Sequence, residues 1–204
     1  MPQRRWKTFR LLEGALWIGG CSMLFYFVFW IAEAVITQTR LARTFEQSRS
    51  VESRSVPLVP TFRPTASKRA NSDFARSGIS RLEIPRIGLT AMVLDGADSH
   101  TMRLGLGHIT GTSSPGENGN VAIAGHRDTF FRPLRRIEEG DEIFLEMPAK
   151  TLTYRVSSIE IVEPSDVAIL RSHGQDELTL VTCYPFSYLG PAPKRFVVHA
   201  LLLR

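Results

Sequence analysis

A thiol, an imidazole and a guanidinium stand apart in the C-terminal part of this chain: Cys183, His126 and Arg195. Cysteine attacks carbonyl carbon as the thiolate, and it needs a partner that keeps it in that state and later gives a proton to the leaving group. Imidazole does both near neutral pH, and the two residues need not be close in sequence. A guanidinium is a permanent cation with a fork of donors, suited to holding a substrate carbonyl or a developing oxyanion. The three together make a coherent set for acyl transfer through a thioester. Each also has a plainer reading: a buried Cys as a small hydrophobe, a His at a strand end as a turn residue, an Arg at a strand start as a solvated charge. Asp128, two residues after His126, either orients the imidazole or faces solvent as a loop acid. His108 either lines a site or is structural, while His100, His173 and His199 have no partner that the sequence names. Gly105-Leu106-Gly107 lacks the strand–turn–helix setting of a nucleotide loop. Ser113 and Ser114 lack the Gly-x-Ser-x-Gly elbow of a serine hydrolase.

The elements that must position these groups are short strands. Glu177 to Cys183 is apolar and β-branched, with Thr179, Val181 and Cys183 on one face and Leu178, Leu180 and Thr182 on the other. Pro185 cannot donate to a ladder, so pairing should stop there and leave the thiol where a strand opens into a loop. Asn120 to Ala124 is a buried strand ending at Gly125-His126, and Arg195 opens a last strand running to Leu203. Ile79 to Ile84, Leu89 to Leu94, Glu142 to Met147 and Leu152 to Val162 complete the strands. Asp98 to Leu104, Phe130 to Ile137 and Ser165 to Leu170 read as helical turns, and the segments Gly105–His108 and Thr112–Gly119 as turn-rich loops. Many short strands without a long amphipathic helix predict an all-β barrel or sandwich over residues 78–204.

What precedes the domain has a different composition. Residues 1–10 are a basic tail with Arg4, Arg5, Lys7 and Arg10. Gly14 to Ala32 carries no charge and is rich in Leu, Phe, Trp, Val and Ile, which predicts a transmembrane helix within residues 11–36. The basic tail places the N-terminus in the cytoplasm and the rest of the chain outside it. Ala32-Glu33-Ala34 has the form of a signal-peptide cleavage site, but the apolar run exceeds a signal h-region, so an uncleaved anchor is expected. Residues 37–77 are rich in Ser, Arg and Pro and read as an extended linker, of which Gln38 to Arg49 is able to continue the helix. The net charge is +5, yet residues 78–204 carry 13 Lys and Arg against 15 Asp and Glu, so the basic surface of a nucleic-acid-binding domain is absent from the fold. The two cysteines, Cys21 in the apolar run and Cys183 in the domain, supply neither a disulfide framework nor a cysteine-rich zinc site. A lone free thiol outside the cytoplasm favours the catalytic reading.

The motifs around these residues carry a resemblance. Thr179-Leu180-Val181-Thr182-Cys183-Tyr184-Pro185-Phe186 resembles the active-site signature of the sortase family. Ala124-Gly125-His126-Arg127-Asp128-Thr129-Phe130-Phe131 resembles its histidine motif, and Lys194-Arg195-Phe196-Val197-Val198 its arginine strand. Gly107-His108 and Pro115-Gly116-Glu117-Asn118-Gly119-Asn120 match family loops. The Tyr-Pro-Phe tail and compact length look most like class D, with class E second. The resemblance implies a closed eight-stranded β-barrel outside the cytoplasmic membrane. It implies that Cys183 attacks the carbonyl before the scissile bond of a Leu-Pro-x-Thr-Gly-type sorting signal on an exported protein, that His126 protonates the departing amine and that Arg195 supports the oxyanion. An amine from a cell-wall precursor or a pilin lysine then resolves the thioester. Thr182, His108 and Asp128 stand as further residues that orient groups or bind substrate. The chemistry requires no metal or cofactor; some relatives bind calcium, and no acidic cluster here supports that. Two rival readings share the motifs: a thiol peptidase that ends with water, and an inactive tethered barrel that binds an exported peptide.

Overall fold

The computed structural model describes residues 3–54 and 79–203. A first helix, α1, runs Gln3–Arg54. The chain divides into two compact units, residues 1–37 and 38–204. In the first, Leu16, Trp17, Phe25, Phe27 and Phe29 are all exposed, and α1 is long and apolar enough to cross a membrane by length and composition. An apolar surface of that extent is unstable in water and matched to lipid.

The second unit is a closed barrel of eight strands. They are β1 Ile79–Ile84, β2 Leu89–Asp95, β3 Leu106–His108, β4 Asn120–Ala124, β5 Glu142–Glu146, β6 Thr151–Val162, β7 Glu177–Tyr184 and β8 Lys194–Leu202. Around the barrel they run β1-β2-β3-β4-β7-β8-β6-β5. The β2–β3 and β4–β7 pairs are parallel and the rest antiparallel. Strand alternation drives inward Leu82, Ile84, Val93, Val121, Ile123, Leu145, Leu178, Leu180 and Val198, each fully buried. The expected strands are therefore present, and closure leaves no open sheet edge.

Two stretches differ from the sequence reading. The Gly105–His108 segment, expected as a turn-rich loop, supplies β3, which bridges β2 to β4 and completes the ring. Its glycine content concealed it. A side chain at Gly107 would strike the Gly96 carbonyl and Ala97, so only a glycine lets this strand lie so close to the 96–97 turn. In the expected linker over residues 37–77, the helix that Gln38 to Arg49 is able to continue does continue and runs on to Arg54, while residues 55–78 lie outside the described residues.

Within the second unit, the Gln38–Arg54 part of α1 is docked on the barrel. The Gln38 side-chain amide accepts from the Met92 N–H at 3.0 Å and donates to the Leu104 carbonyl. It thereby satisfies main-chain groups of β2 and of the short helix α2, Thr101–Leu104. Phe45 is only 2% exposed, with the Arg81 guanidinium 5.3 Å from its ring centre. Arg81 also binds Glu46 at 2.9 Å and Glu146 at 2.5 Å, and Arg49 reaches the same Glu146 carboxylate at 3.2 Å. This segment belongs to the folded unit because its anchors are specific and partly buried, not because it carries a broad apolar stripe.

Candidate active site

Parallel pairing decides where the thiol and the imidazole go. β4 and β7 lie side by side with Ala124 opposite Val181, so both strands end at the same rim of the barrel. Cys183 is two residues beyond Val181, and His126 is two residues beyond Ala124. β8 is antiparallel to β7 and begins at that same rim, with Arg195 directly opposite Cys183. Opposed residues in an antiparallel pair share a face, with Cβ atoms about 4.5–5.5 Å apart. Thiol and guanidinium thus stand together on the outward face, since Leu180, Thr182, Val198 and Phe196 take the inward one.

His126 is held by its neighbours. The Gly125 N–H donates to the Val181 carbonyl at 3.2 Å, and Thr182 Oγ1 donates to the Gly125 carbonyl at 2.7 Å. Gly125 admits no side chain: a Cβ there would lie 2.6 Å from Leu106 Cδ2 and 2.7 Å from Phe131 Cδ2. The His126 carbonyl accepts from the Phe131 N–H at 3.1 Å, closing the turn that follows. Thr182, expected as an orienting residue, is buried between Cys183 and the Gly125 carbonyl, where it ties the histidine turn to the cysteine strand. Cys183 is a free thiol and half-buried, as is His126. Arg195 donates from Nη1 to the carbonyls of Lys194 at 3.0 Å and Ala192 at 3.4 Å, and forms no ion pair among the described residues. Its charge is therefore not neutralised by a carboxylate of the described residues.

The β6–β7 loop leaves from this rim, where Val162 lies opposite Arg195, and returns at the other, where β7 begins. The segment between β6 and β7, residues 163–176, is drawn to β4 by Asn120 Nδ2, which lies 3.3 Å from the Ile169 carbonyl and 3.5 Å from that of Arg171. Asn120 Oδ1 accepts from Thr179 Oγ1 at 2.8 Å, Thr179 meets His199 Nδ1 at 3.4 Å, and His199 Nε2 meets Glu160 at 2.9 Å. This chain of contacts crosses β4, β7, β8 and β6 and fixes the outward face on which Cys183 sits. It also gives His199 the partners that the sequence did not name. Beyond Cys183, the rings of Tyr184, Phe186 and Phe196 pack together, the last two 5.1 Å apart edge to face.

Two expected orienting residues lie elsewhere. Asp128 is exposed and makes no hydrogen bond to His126. His108 is 4% exposed, with Nε2 at 3.0 Å from the Ser113 carbonyl and 3.2 Å from Thr112 Oγ1, and Nδ1 at 3.4 Å from Asp95. That makes it a tie between β3 and the 109–119 loop. His100 and His173 meet Arg103 and Glu177. Among the described residues no group of three or more His, Cys, Asp or Glu is placed to hold a metal ion. Arg127, which has no role in the sequence reading beyond its place in the histidine motif, donates from Nη2 to the carbonyls of Tyr188 at 2.7 Å and Gly190 at 3.1 Å.

Residues 82–203 match the family described as the Sortase domain. Sortase D of Bacillus subtilis is 33% identical over 169 residues, which is 80% of this chain and 84% of that protein. Among solved structures, a sortase C-1 from Actinomyces oris is 26% identical with a TM-score of 0.59, covering 80% of this chain and 99% of that one. A Clostridium perfringens protein described as a Sortase D5 transpeptidase is 24% identical and superposes with a TM-score of 0.65, covering 82% of this chain and 99% of that one, a likeness of fold.

Proposed function

The chain belongs to the sortase family of cysteine transpeptidases, with a class D character, and from that premise we propose that it is membrane-anchored and joins an exported protein to an amine outside the cytoplasm. Cys183 is the nucleophile. Its thiolate attacks the carbonyl carbon before the scissile bond of a Leu-Pro-x-Thr-Gly-like signal, and the carbonyl oxygen takes up the negative charge. Arg195 offers donors to that oxygen from the facing strand. As the C–N bond breaks, His126 gives its proton to the departing amine, which leaves the acyl group on sulfur. An amine from a cell-wall precursor or a pilin then attacks the thioester, His126 takes its proton, and the thiolate is released.

The observation that carries this reading is the register. Cys183 faces Arg195 across β7–β8, and the residue before His126 is bonded to the residue before Cys183. The anchor assignment rests on the exposed apolar length of α1 and on the basic tail before it, and it makes residues 1–10 cytoplasmic, 11–36 membrane-spanning and 78–204 catalytic.

The test is a covalent trap. The purified protein is incubated with a library of sorting-signal peptides and its mass is measured intact, with and without an added amine. The expected result is an acyl adduct on Cys183 that the amine converts to a ligated peptide, with none on Cys183→Ala or His126→Ala. An adduct released only to water would make the protein a hydrolase. No adduct with any peptide would leave a barrel that binds without catalysis.

A further inference from the structure

On the reading that Cys183 and His126 act together, we infer that Arg127 is a positioning residue: it clamps the loop after Cys183 to the histidine turn and so fixes the imidazole against the thiol. The upstream side of His126 is held by Gly125, bonded to Val181 and Thr182 of β7. Arg127 supplies the downstream anchor. Its Nη2 binds two carbonyls of the β7–β8 loop, Tyr188 at 2.7 Å and Gly190 at 3.1 Å, and its guanidinium carbon lies 5.9 Å from the Tyr188 ring centre. Both anchors lead to one continuous segment, residues 181–190, which contains Cys183. Histidine and cysteine are thereby stapled to each other from either side.

The geometry suits arginine in particular. One planar group both bridges two carbonyls and lies near an aromatic ring, which an ammonium on a flexible stem does not reproduce. The clamp is also made at a cost. Arg127 Nη1 is buried with no hydrogen-bond partner among the described residues, and such an atom in a native fold calls for a reason beyond packing. Past Phe186, which packs with Tyr184 and Phe196, the loop it holds has little else to order it. Tyr188 and Gly190 are exposed, Leu189 is 96% exposed, and the backbone tie at Tyr188 N to the Pro185 carbonyl is long, at 3.4 Å. Without Arg127 the loop would loosen, and the histidine turn, though still closed by the Phe131 N–H, would lose its tie to the segment beyond Cys183.

The experiment compares Arg127→Lys and Arg127→Ala with the wild-type full chain. It measures steady-state kinetics on a fluorogenic sorting-signal peptide, the pH profile of Cys183 alkylation by iodoacetamide, amide exchange in residues 186–190 and the thermal midpoint. Both variants are expected to lose about ten- to hundredfold in kcat, since misplacement of a reacting group by an ångström has effects of that size. KM should stay within about threefold and the midpoint should hold, because the loop is peripheral to the core. Exchange in residues 186–190 should quicken. The alkylation profile should move even in Arg127→Lys, where the charge is kept and only the position is lost. Wild-type kcat and alkylation profile in either variant would overturn the inference. So would a fall in kcat matched by a fall in the midpoint and faster exchange throughout the barrel. If the wild-type chain forms no thioester, the functional reading fails; the alkylation profiles and loop exchange still decide the clamp.

Discussion

Truncating Phe45 to Ala tests whether the Gln38–Arg54 segment is part of the barrel's fold or a passive tether. The ring is 2% exposed although it lies on a helix outside the barrel wall, so docking removes nearly all of it from water. Phe-to-Ala changes at buried sites cost about 3–5 kcal/mol, and the stacked Arg81 adds roughly 0.5–1 kcal/mol. With a urea slope of about 2 kcal/mol/M, the midpoint should fall by roughly 1.8–3 M. The measurement is urea unfolding of the unit beginning at Gln38, followed by a probe inside and a probe outside the segment. Amide exchange at Met92 supplies a local reading, because that N–H is bonded to the Gln38 side chain at 3.0 Å. If the midpoint moves by less than about 0.3 M and Met92 exchanges no faster, the docking contributes nothing and the segment is a spacer after all.

Replacing Arg195 by Lys keeps the charge opposite Cys183 but loses the fork, and kcat/KM should fall about ten- to hundredfold in a peptide-cleavage assay; full activity would remove the oxyanion role. In Gly125→Ala the new methyl meets Leu106 and the Phe131 ring at 2.6 and 2.7 Å, so thermal unfolding should show a loss of about 1–3 kcal/mol and turnover should drop with it. Asp141 contributes to the acid limb of stability. Burial by itself would raise its pKa, but hydrogen bonds from Arg86 and the Glu138 N–H, with the Arg86 charge, hold it below the usual value. Its folded pKa being lower than its unfolded one, it stabilises above about pH 4 and that contribution is lost as pH falls through the folded value. Asp141→Asn should therefore lower the thermal midpoint at neutral pH and flatten its decline in acid.

What the sequence disclosed was the candidate residues and the long periodic elements. Cys183, His126 and Arg195 are uncommon residue types at strand ends, and Leu178, Leu180, Val121 and Ile123 show the alternation of strands. β3 was hidden because three residues centred on Gly107 carry no periodic signal and the constraint is a close backbone approach. The docked part of α1 was hidden for another reason. Its anchors are one ring, one amide and two ion-paired side chains, spread over residues 38–49 among Ser, Thr and Arg, which reads as linker composition. Asp128 and Arg127 illustrate the limit of spacing arguments. The acid near His126 faces solvent, and the arginine beside it holds the loop, because side-chain direction in a turn depends on the backbone path.

The placement of the three groups follows from strand order more than from any single contact. Had β4 and β7 been antiparallel, His126 and Cys183 would have ended at opposite rims of the barrel, and no local adjustment would bring them together. Parallel pairing requires a long crossover, and the chain between β4 and β7 provides it with β5 and β6, which also complete the ring beside β1 and β8. The same crossover carries the 163–176 loop back to the far end of the barrel, where Asn120 at the start of β4 fastens it beside the start of β7. One topological choice thus sets the positions of Cys183, His126 and, through β8, Arg195. A circularly permuted chain opened between β5 and β6 should keep all three if the register is kept. It should form the Cys183 thioester at a rate near the parent's, whereas folding with no thioester would mean that the active arrangement depends on the original connection and not on the strand order.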